Sequence, residues 1–472
     1  MNMKRLYLLC MMMFAFAGIK RAEGATYYAV TTGNWNVTTT WSTGGCGTYV
    51  TPAVTPGPGD NVIVCLGITV TVNVNVTVAN VTVNNGGVLQ NGGGSTTNRS
   101  LTVTGALTVS NGGTLIQNSI LNPTTTLFAG TESFGATSTV TVSNWFSPTL
   151  PLINSINSNF GSVNLNWGTG TNWWKNQGLG VTRTIAGNLT VGTGCQTFLD
   201  SSNAAVSISI GGSLTVNGKL RIKYLMPGAV TFLASGNGNI GAAGEFNGTF
   251  GGNGNVSFTI QNLTSSAGGT FCAVKDGIGN ATVAINGIFT CAGNFYGIDA
   301  PAVINNGVPT ITMNSLAYTG GIFMASNTHN SLGTATVTIA TNANVSFTVA
   351  TDRISLIGLG NVGVNNVTTR LVLNVGGNLS IGGLSTFSFK TSESFGEETI
   401  TVNGTFTSTA ARTLFNGGAN ELSGHKVRAT FGGFVISGGN VWFSENTSDS
   451  TLITVNGTTQ LSGGTLILKS AG

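Results

Sequence analysis

The sequence predicts an all-β protein whose strands wind into a parallel β-helix, closed at its N-terminal end by a cap. Three observations lead to this prediction. Short runs in which Val or Ile alternates with Thr or Asn fill the chain, as in GITVTVNVNVTVANVTVNNGG at 67–87. Gly, at 70 residues, and Asn separate these runs, and helical periodicity is almost absent. Related units also recur along the chain.

The stretch 67–87 indicates how one coil is built. Val and Ile at every second position stack inside the coil, whereas Thr and Asn suit its outer face and its corners. After Val78 the apolar positions change from even to odd numbers, which requires a corner. Asn80 and the group 84–87 supply the Asn and Gly residues that tolerate tight bends.

The repeated units distinguish between two all-β architectures. They include DGIGNATVAINGIF at 276–289, NSLGTATVTIA at 330–340, ESFGEETITVNGTF at 393–406 and SDSTLITVNGTTQ at 448–460. Equivalent apolar residues, Ile285, Ile339, Val402 and Val455, lie roughly 55 residues apart. This interval fits two or three β-helix coils. The alternative, an array of β-sandwich modules, needs about 100 residues per module and linkers between modules, so the β-helix is favoured.

The N-terminus has the pattern of a secretory signal peptide over residues 1–24. Lys4 and Arg5 precede the apolar run 6–19, and small residues follow, with cleavage expected after Gly24. A membrane anchor is the weaker interpretation, because the run is shorter than the roughly 18 residues that span a bilayer. We therefore expect a secreted protein, extracellular or on the outer cell surface, with an N-terminal cap and first coils at 25–90 and a repetitive β-helix at 91–472.

Charge and hydropathy exclude two classes of protein, those that bind nucleic acid and those that cross a membrane with a helix. Charged residues make up only 7% of the chain, against roughly 25% in ordinary soluble proteins. The formal net charge of +4 falls to +1 without residues 1–24, which hold four positive charges and one negative charge. No basic patch remains for nucleic acid, and no later segment is apolar enough to cross a membrane.

Two cysteine pairs share one spacing. Cys46 and Cys65, and likewise Cys272 and Cys291, are 19 residues apart. In a coil of about 18–25 residues this spacing would place both members in adjacent coils, near the separation that a disulfide accepts. Since exported proteins form disulfides, we expect these two bridges, with Cys195 left over; buried thiols are the alternative.

The N-terminal segment carries a family resemblance. Trp35 and Trp41, then PGDNVIV at 58–64, GITVTV at 67–72 and GGVL at 86–89 follow one another. This order resembles the start of many secreted bacterial β-helix proteins and is similar to the G8 module of some extracellular proteins. We interpret it as a cap in which the two Trp rings cover the open end of the first coil, because exposed strand edges must be blocked.

The later units are similar to the repetitive, adhesin-like cell-surface proteins that Bacteroidota-type bacteria export by the type IX secretion route. That resemblance implies a surface location and a C-terminal sorting domain. The chain stops inside a unit, at GGTLILKSAG (463–472). We therefore expect the sequence to be a fragment of a longer protein, or to reach the surface by another route.

A search for reactive groups gives no catalytic residue, metal site or cofactor site. Acidic residues are scattered; Asp276 and Asp299 could converge from successive coils, but isolated turn residues are the favoured interpretation. His329 and His425 each lack companions for a triad or a metal site. The sequence therefore favours a protein without catalytic activity.

Two features suit a glycan ligand. Trp167, Trp173 and Trp174 lie in the Gly- and Asn-rich segment 166–178, which we expect to be a loop, and aromatic rings beside amides can stack on sugars. The favoured alternative is that these rings cover a seam or a defect between coils. Lys219, Arg221 and Lys223 alternate along one strand and form a basic stripe for an anionic glycan, or an ordinary exposed face.

The expected function is that of a secreted cell-surface β-helix with a structural or adhesive role. The alternative is a carbohydrate-binding or polysaccharide-degrading β-helix. In either case the expected partners are extracellular glycans or other cell-surface components.

Overall fold

The computed structural model describes residues 24–468 with internal gaps. The gaps are 53, 93–98, 119–130, 144–158, 167–172, 176–181, 201–202, 226, 301–306, 320–322, 329–333, 340–344, 350–353, 356–368, 384–385, 390–395, 416–425 and 445–449. The described residues form two compact units, 24–138 and 139–468. Nearly all of the predicted signal peptide lies outside the described residues.

The first unit is a parallel β-solenoid with three faces. Its six-stranded face contains Thr26–Ala29, Trp41–Ser42, Asn61–Val64, Asn80–Val83, Ala106–Val109 and Thr131–Phe134. The second face contains Gly33–Asn34, Thr69–Val72, Val88–Asn91 and Thr114–Gln117, and the third contains Val76–Val78 and Leu101–Val103. The 3-10 turn Thr38–Thr40 is the one helical element among the described residues.

The stretch 67–87 follows these three faces in turn. Thr69–Val72, Val76–Val78 and Asn80–Val83 each belong to a different face. Val70, Val72, Val78, Val81 and Val83 are all fully buried. The change of phase after Val78 is therefore confirmed, because each corner resets which side of the strand faces inward. The expected interior is confirmed in part, since Ile68, Val74 and Val76 are only half-buried.

Trp35 and Trp41 are buried near the start of the first unit. Their rings meet edge to face with centroids 4.9 Å apart. Trp41 Nε1 donates to the Trp35 carbonyl (2.8 Å), and Trp35 Nε1 donates to the Pro56 carbonyl (3.2 Å). The strand Trp41–Ser42 pairs antiparallel with Thr26–Ala29 and occupies the edge of the six-stranded face, where it covers an edge that would otherwise be open.

The second unit is also a parallel β-solenoid, so the predicted fold class is confirmed. Its long-strand sheet starts with Thr139–Val142, Ser162–Leu165, Thr182–Ile185, Leu189–Val191, Val206–Ile210 and Leu214–Val216. It continues with Val230–Ile240, Val256–Ser265, Ala281–Cys291, Pro309–Tyr318, Thr334–Ile339, Val345–Val349, Thr369–Val375 and Leu379–Gly383. It ends with Gly396–Ser408, Lys426–Ile436, Ser450–Val455 and Thr459–Leu461. A register shift bends several long strands in the middle, so that each serves two faces.

Two further sheets close the coils of the second unit. The seven-stranded sheet contains Trp173–Lys175, Gln196–Asp200, Lys219–Tyr224, Glu245–Phe250, Thr270–Lys275, Asn294–Ala300 and Phe323–Thr328. The five-stranded sheet contains Ile354–Ser355, Thr386–Ser388, Arg412–Leu414, Asn440–Trp442 and Thr465–Ile467. Every pairing in these two sheets is parallel.

The sequence repeat corresponds to two coils. Ile285 pairs with Met313, which pairs with Ile339, and the same column continues through Val402 to Val455 with one residue between each repeat position. The repeated residues therefore occupy one column of the sheet. This confirms the expected relation between the repeat and the coils.

The predicted Cys272–Cys291 bridge is wrong. Both residues are fully buried thiols, and they lie in different sheets. The partner of Cys272 in the next coil is Tyr296, and that of Cys291 is Tyr318, because a coil here has about 25 residues rather than 19. Cys195 is likewise a buried thiol.

The Cys46–Cys65 bridge is confirmed, with an S–S distance of 2.00 Å. It joins the loop after Trp41–Ser42 to the residue that follows Asn61–Val64, so it ties the N-terminal loop to the six-stranded face. The spacing rule predicted this pair without predicting that a loop, and not a neighbouring coil, supplies Cys46.

Phenylalanine fills the interior behind the seven-stranded sheet. Phe246, Phe271, Phe295 and Phe323 occupy one column and are fully buried. The rings of Phe271 and Phe295 are nearly parallel, with centroids 5.2 Å apart. Such stacked rings contribute beyond the area that they bury.

Replacing Phe271 with alanine should strongly destabilise the second unit. The substitution Phe271→Ala leaves a cavity between three neighbouring rings and should lower the free energy of unfolding by about 3–5 kcal/mol. Urea denaturation measures the loss. Leu233→Ala, at an exposed position of the strand Val230–Ile240 in the long-strand sheet, is the control and should cost about 0.5 kcal/mol; equal losses would contradict the buried column.

The state of the thiols can be tested by alkylation. In denaturant without reductant, Cys272 and Cys291 should react with iodoacetamide, whereas Cys46 and Cys65 should react only after reduction. In native buffer, burial should protect Cys272 and Cys291. Peptide mass mapping gives the labelled positions, and a disulfide-linked peptide containing Cys272 and Cys291 would contradict the structure.

Candidate functional site

Among the residues that the structure describes, a group of eight ionisable residues lies on the strands of the seven-stranded sheet or directly after one of them. We call it the charged cluster: Asp200, Lys219, Arg221, Lys223, Glu245, Lys275, Asp276 and Asp299. It contains four of the 14 acidic residues of the chain and four of the 18 basic ones. Because the chain contains so few charged residues, this concentration makes the cluster a candidate functional site.

Parallel register brings these residues together. Lys219 pairs with Glu245, Asp200 pairs with Lys223, and Lys275 pairs with Asp299, each across two neighbouring strands of adjacent coils. Opposite charges therefore follow one another along the axis of the solenoid.

Arg221, which is buried, and Glu245, which is partly exposed, form the first part of the cluster. Arg221 Nη2 lies 3.3 Å from Glu245 Oε1, and its guanidinium lies over the Phe250 ring, 3.6 Å from the centroid. Burial lowers the pKa of Arg221, although Glu245 favours its charge. Burial alone would raise the pKa of Glu245, but Arg221, Asn247 and Lys219 outweigh it and hold this pKa below 4.5.

Lys223 and Asp200 form the fully buried part. Lys223 Nζ lies 3.3 Å from Asp200 Oδ2 and also donates to the Ala204 carbonyl. Gly228, at φ 121°, passes so close that a Cβ there would lie 2.8 Å from Lys223 Nζ. Arg183 lies near Asp200 as well, and burial lowers the pKa of Arg183 to about 10. Asp200 thus compensates buried positive charge.

Lys275, Asp276 and Asp299 form the third part. Lys275 Nζ donates to Asp299 Oδ2 (2.9 Å), and the backbone N–H of Asp276 donates to the Asp299 carbonyl (2.8 Å). Burial opposes the charge of Lys275, but its hydrogen bond to Asp299 outweighs it and raises the pKa of Lys275. Burial raises the pKa of Asp276, whose backbone adopts a φ of 50°. Asp276 and Asp299 therefore do converge, contrary to their expected isolation.

Cys272 and Tyr296 lie in one column beside these groups. Burial raises the pKa of the Cys272 thiol well above its usual range, and the thiol donates to the Val274 carbonyl (3.2 Å). Burial also raises the pKa of Tyr296 to about 12. Both side chains are thus neutral near pH 7, and a buried thiol of this kind is unreactive.

The geometry is that of charge-compensated contacts between coils. Within the part of the chain that the structure describes, no three Asp, Glu, His or Cys side chains are placed to hold a metal ion. The carboxylates of Asp200, Glu245 and Asp299 each have a basic partner in an adjacent coil. These contacts hold successive coils in register.

The structure places the predicted glycan residues as follows. Trp173–Lys175 is a strand of the seven-stranded sheet, so the expected loop is wrong there; aromatic residues favour strands. One strand separates it from Lys219–Tyr224, and Trp173 is in register with Gln196 and, through it, with Lys219. Trp167, His329 and His425 lie outside the described residues.

The basic stripe is not an exposed surface. Lys219, Arg221 and Lys223 alternate along one strand as predicted, yet only Lys219 is substantially exposed, at 43% of its side chain. The sequence analysis missed their partners Asp200 and Glu245. The sequence does contain opposite charges 23–26 residues apart. This spacing identifies ion pairs only when the length of a coil is known.

No protein-family model, curated protein or solved structure matches this chain. Among the described residues, no helix has the length and apolar character needed to cross a bilayer.

Removing the carboxylate of Glu245 should destabilise the second unit in a pH-dependent way. Glu245→Gln removes the carboxylate that pairs with the buried Arg221 and should lower the free energy of unfolding by about 2 kcal/mol at pH 7. Because the pKa of Glu245 lies below 4.5 in the folded chain, this stabilisation is complete above about pH 4.5 and is lost as the pH falls through the folded value. Urea denaturation at several pH values measures both effects.

The control for this prediction is Glu397→Gln. Glu397 accepts a hydrogen bond from Arg428 Nε (2.6 Å) across adjacent coils, but this pair is exposed to solvent. An exposed ion pair contributes about 0–1 kcal/mol. Equal losses in the two variants would contradict the special role of the charged cluster.

Proposed function

We propose that this chain is a secreted protein of the outer cell surface, with a structural or adhesive role and without catalytic activity. The observation that supports the proposal is that charged side chains of the described residues pair with one another between coils. Five ion pairs join neighbouring coils: Lys219–Glu245, Arg221–Glu245, Lys223–Asp200, Lys275–Asp299 and Arg428–Glu397. Ionisable groups therefore stabilise the stack, and the remaining outer faces consist largely of Thr, Asn, Ser and Gly.

Export is supported by two independent features. The pattern of residues 1–24 is that of a secretory signal peptide, and the Cys46–Cys65 disulfide is of a kind that persists in oxidising compartments. The Gly-rich repeats and the N-terminal Trp and Pro-Gly-Asp segment support a finer assignment, to the adhesin-like proteins of the type IX route with a G8-like start.

Glycan recognition at the seven-stranded sheet is the second candidate. One observation favours it: the strand Trp173–Lys175 and the strand Lys219–Tyr224 lie in the same sheet, with one strand between them. The burial of Arg221 and Lys223 weighs against an anionic glycan, because their charges are already compensated. Polysaccharide cleavage has no comparable support.

Surface exposure is tested in cells of the organism that encodes the chain. An antibody raised against residues 25–472 should bind intact cells, and protease added to intact cells should remove the protein. Both results are expected because a protein of the outer cell surface is accessible to reagents in the medium. A chain lacking residues 2–24 is the control and should remain inside. Protection from protease until lysis would overturn the surface location.

Attachment tests the role itself. Deletion of the gene should reduce attachment of cells to surfaces or to one another, and the full chain should restore it, whereas the chain lacking residues 2–24 should not. Unchanged attachment after deletion, with the protein verified on the surface of the parent strain, would contradict the adhesive role.

A further inference from the structure

An open groove of about 500 Å³ lies on the long-strand sheet. Asn237, Asn262 and Ile288 form one row along the solenoid axis, and Asn239, Thr264 and Thr290 form a second row. The rows come from three adjacent coils, just past the register shift that bends each long strand. Successive members of a row are therefore about 4.8 Å apart.

The first row is partly committed to the fold. Asn262 Nδ2 donates to Asn237 Oδ1 (2.8 Å), and Asn262 Oδ1 accepts from the Ile288 backbone N–H (2.8 Å). These bonds fix the amides at the bend. Ile288 is 57% exposed, and it gives the groove an apolar patch between polar side chains.

The second row is available to a ligand. Asn239 and Thr264 are exposed and Thr290 is half-buried. Their side chains make no hydrogen bond with other described residues. An amide and two hydroxyls supply both donors and acceptors, at three successive levels of the stack.

The lining selects the class of ligand. It contains no ionisable residue, so an anionic polymer would lose hydration without gaining a cation, and nucleic acid would find no phosphate contact. A peptide cannot add as a strand, because the strands Val230–Ile240, Val256–Ser265 and Ala281–Cys291 are already paired on both sides. Hydroxyl-rich, uncharged chains remain.

We propose that this groove binds a neutral polysaccharide, lying along the solenoid axis against Asn239, Thr264 and Thr290. Sugar hydroxyls exchange hydrogen bonds with the second row, and an apolar sugar face packs on Ile288. The groove is open rather than enclosed, which suits a polymer that extends beyond it. The inference deepens the proposed adhesive role and rests on it for its biological meaning, but the binding itself is a property of the isolated chain.

The test is affinity electrophoresis of the purified chain through gels that contain mixed-linkage β-glucan, galactomannan or dextran, with polygalacturonate as the anionic probe. At least one neutral polymer should retard the chain. The double variant Thr264→Val, Thr290→Val keeps the β-branched shape but removes both hydroxyls, and should weaken binding by roughly five- to twentyfold. Thr282→Val, at an exposed position on the other half of the strand Ala281–Cys291, is the matched control and should bind like the parent.

Three results would overturn the inference: retention by none of the neutral polymers, retention that survives the double variant, or retention by polygalacturonate alone. The last would point to the charged cluster instead. Urea denaturation of both variants verifies that the fold is retained. Failure here leaves surface exposure and attachment unaffected, whereas a chain found inside the cell would refute the proposed function even if the groove binds glucan.

Discussion

In a parallel solenoid every side chain lies beside its equivalent in the next coil, about 4.8 Å away. A column of like charges would therefore repel at each step, by about 1 kcal/mol in water and about 4 kcal/mol at the effective dielectric of a protein surface. A repeated sequence can avoid this by omitting charge or by alternating its sign. The chain does both: charged residues are 7% of it, and Arg370, Glu397 and Lys426 alternate along one column.

The same stacking explains the abundance of Asn. At the bends, an Asn side-chain oxygen accepts from a backbone N–H of the following coil, as Asn188 does from Ser213 and Asn378 does from Thr405. Backbone groups at a corner cannot join a regular ladder, so these amides satisfy donors that would otherwise be orphaned. Asn can therefore recur at the corners of successive coils and satisfy backbone donors there, whereas a charged residue repeated in the same column would repel its neighbours.

The fold could be predicted because alternation with period two identifies the inward residues without knowledge of the turns. Val70, Val81 and Val83 are buried as expected. The length of a coil could not be predicted so well, because it is set by turns whose residue count varies from coil to coil. Because the coil length was not known, the predicted disulfide between Cys272 and Cys291 is wrong, and the pairing of Lys275 with Asp299 was not predicted. The groove was equally hidden, since its rows exist only after three coils are placed in register.

The distribution of charge also constrains what the solenoid can recognise. Because the cations Arg221, Lys223 and Lys275 are held by carboxylates of adjacent coils, a ligand that needed them would first have to break contacts that stabilise the stack. The uncharged columns carry no such cost. One of them runs in register from Thr190 to Thr290, and each coil contributes only weak hydrogen bonds. A polymer that engages several coils at once converts such weak contacts into avidity, which is the physical advantage of a repeated surface over a single deep pocket.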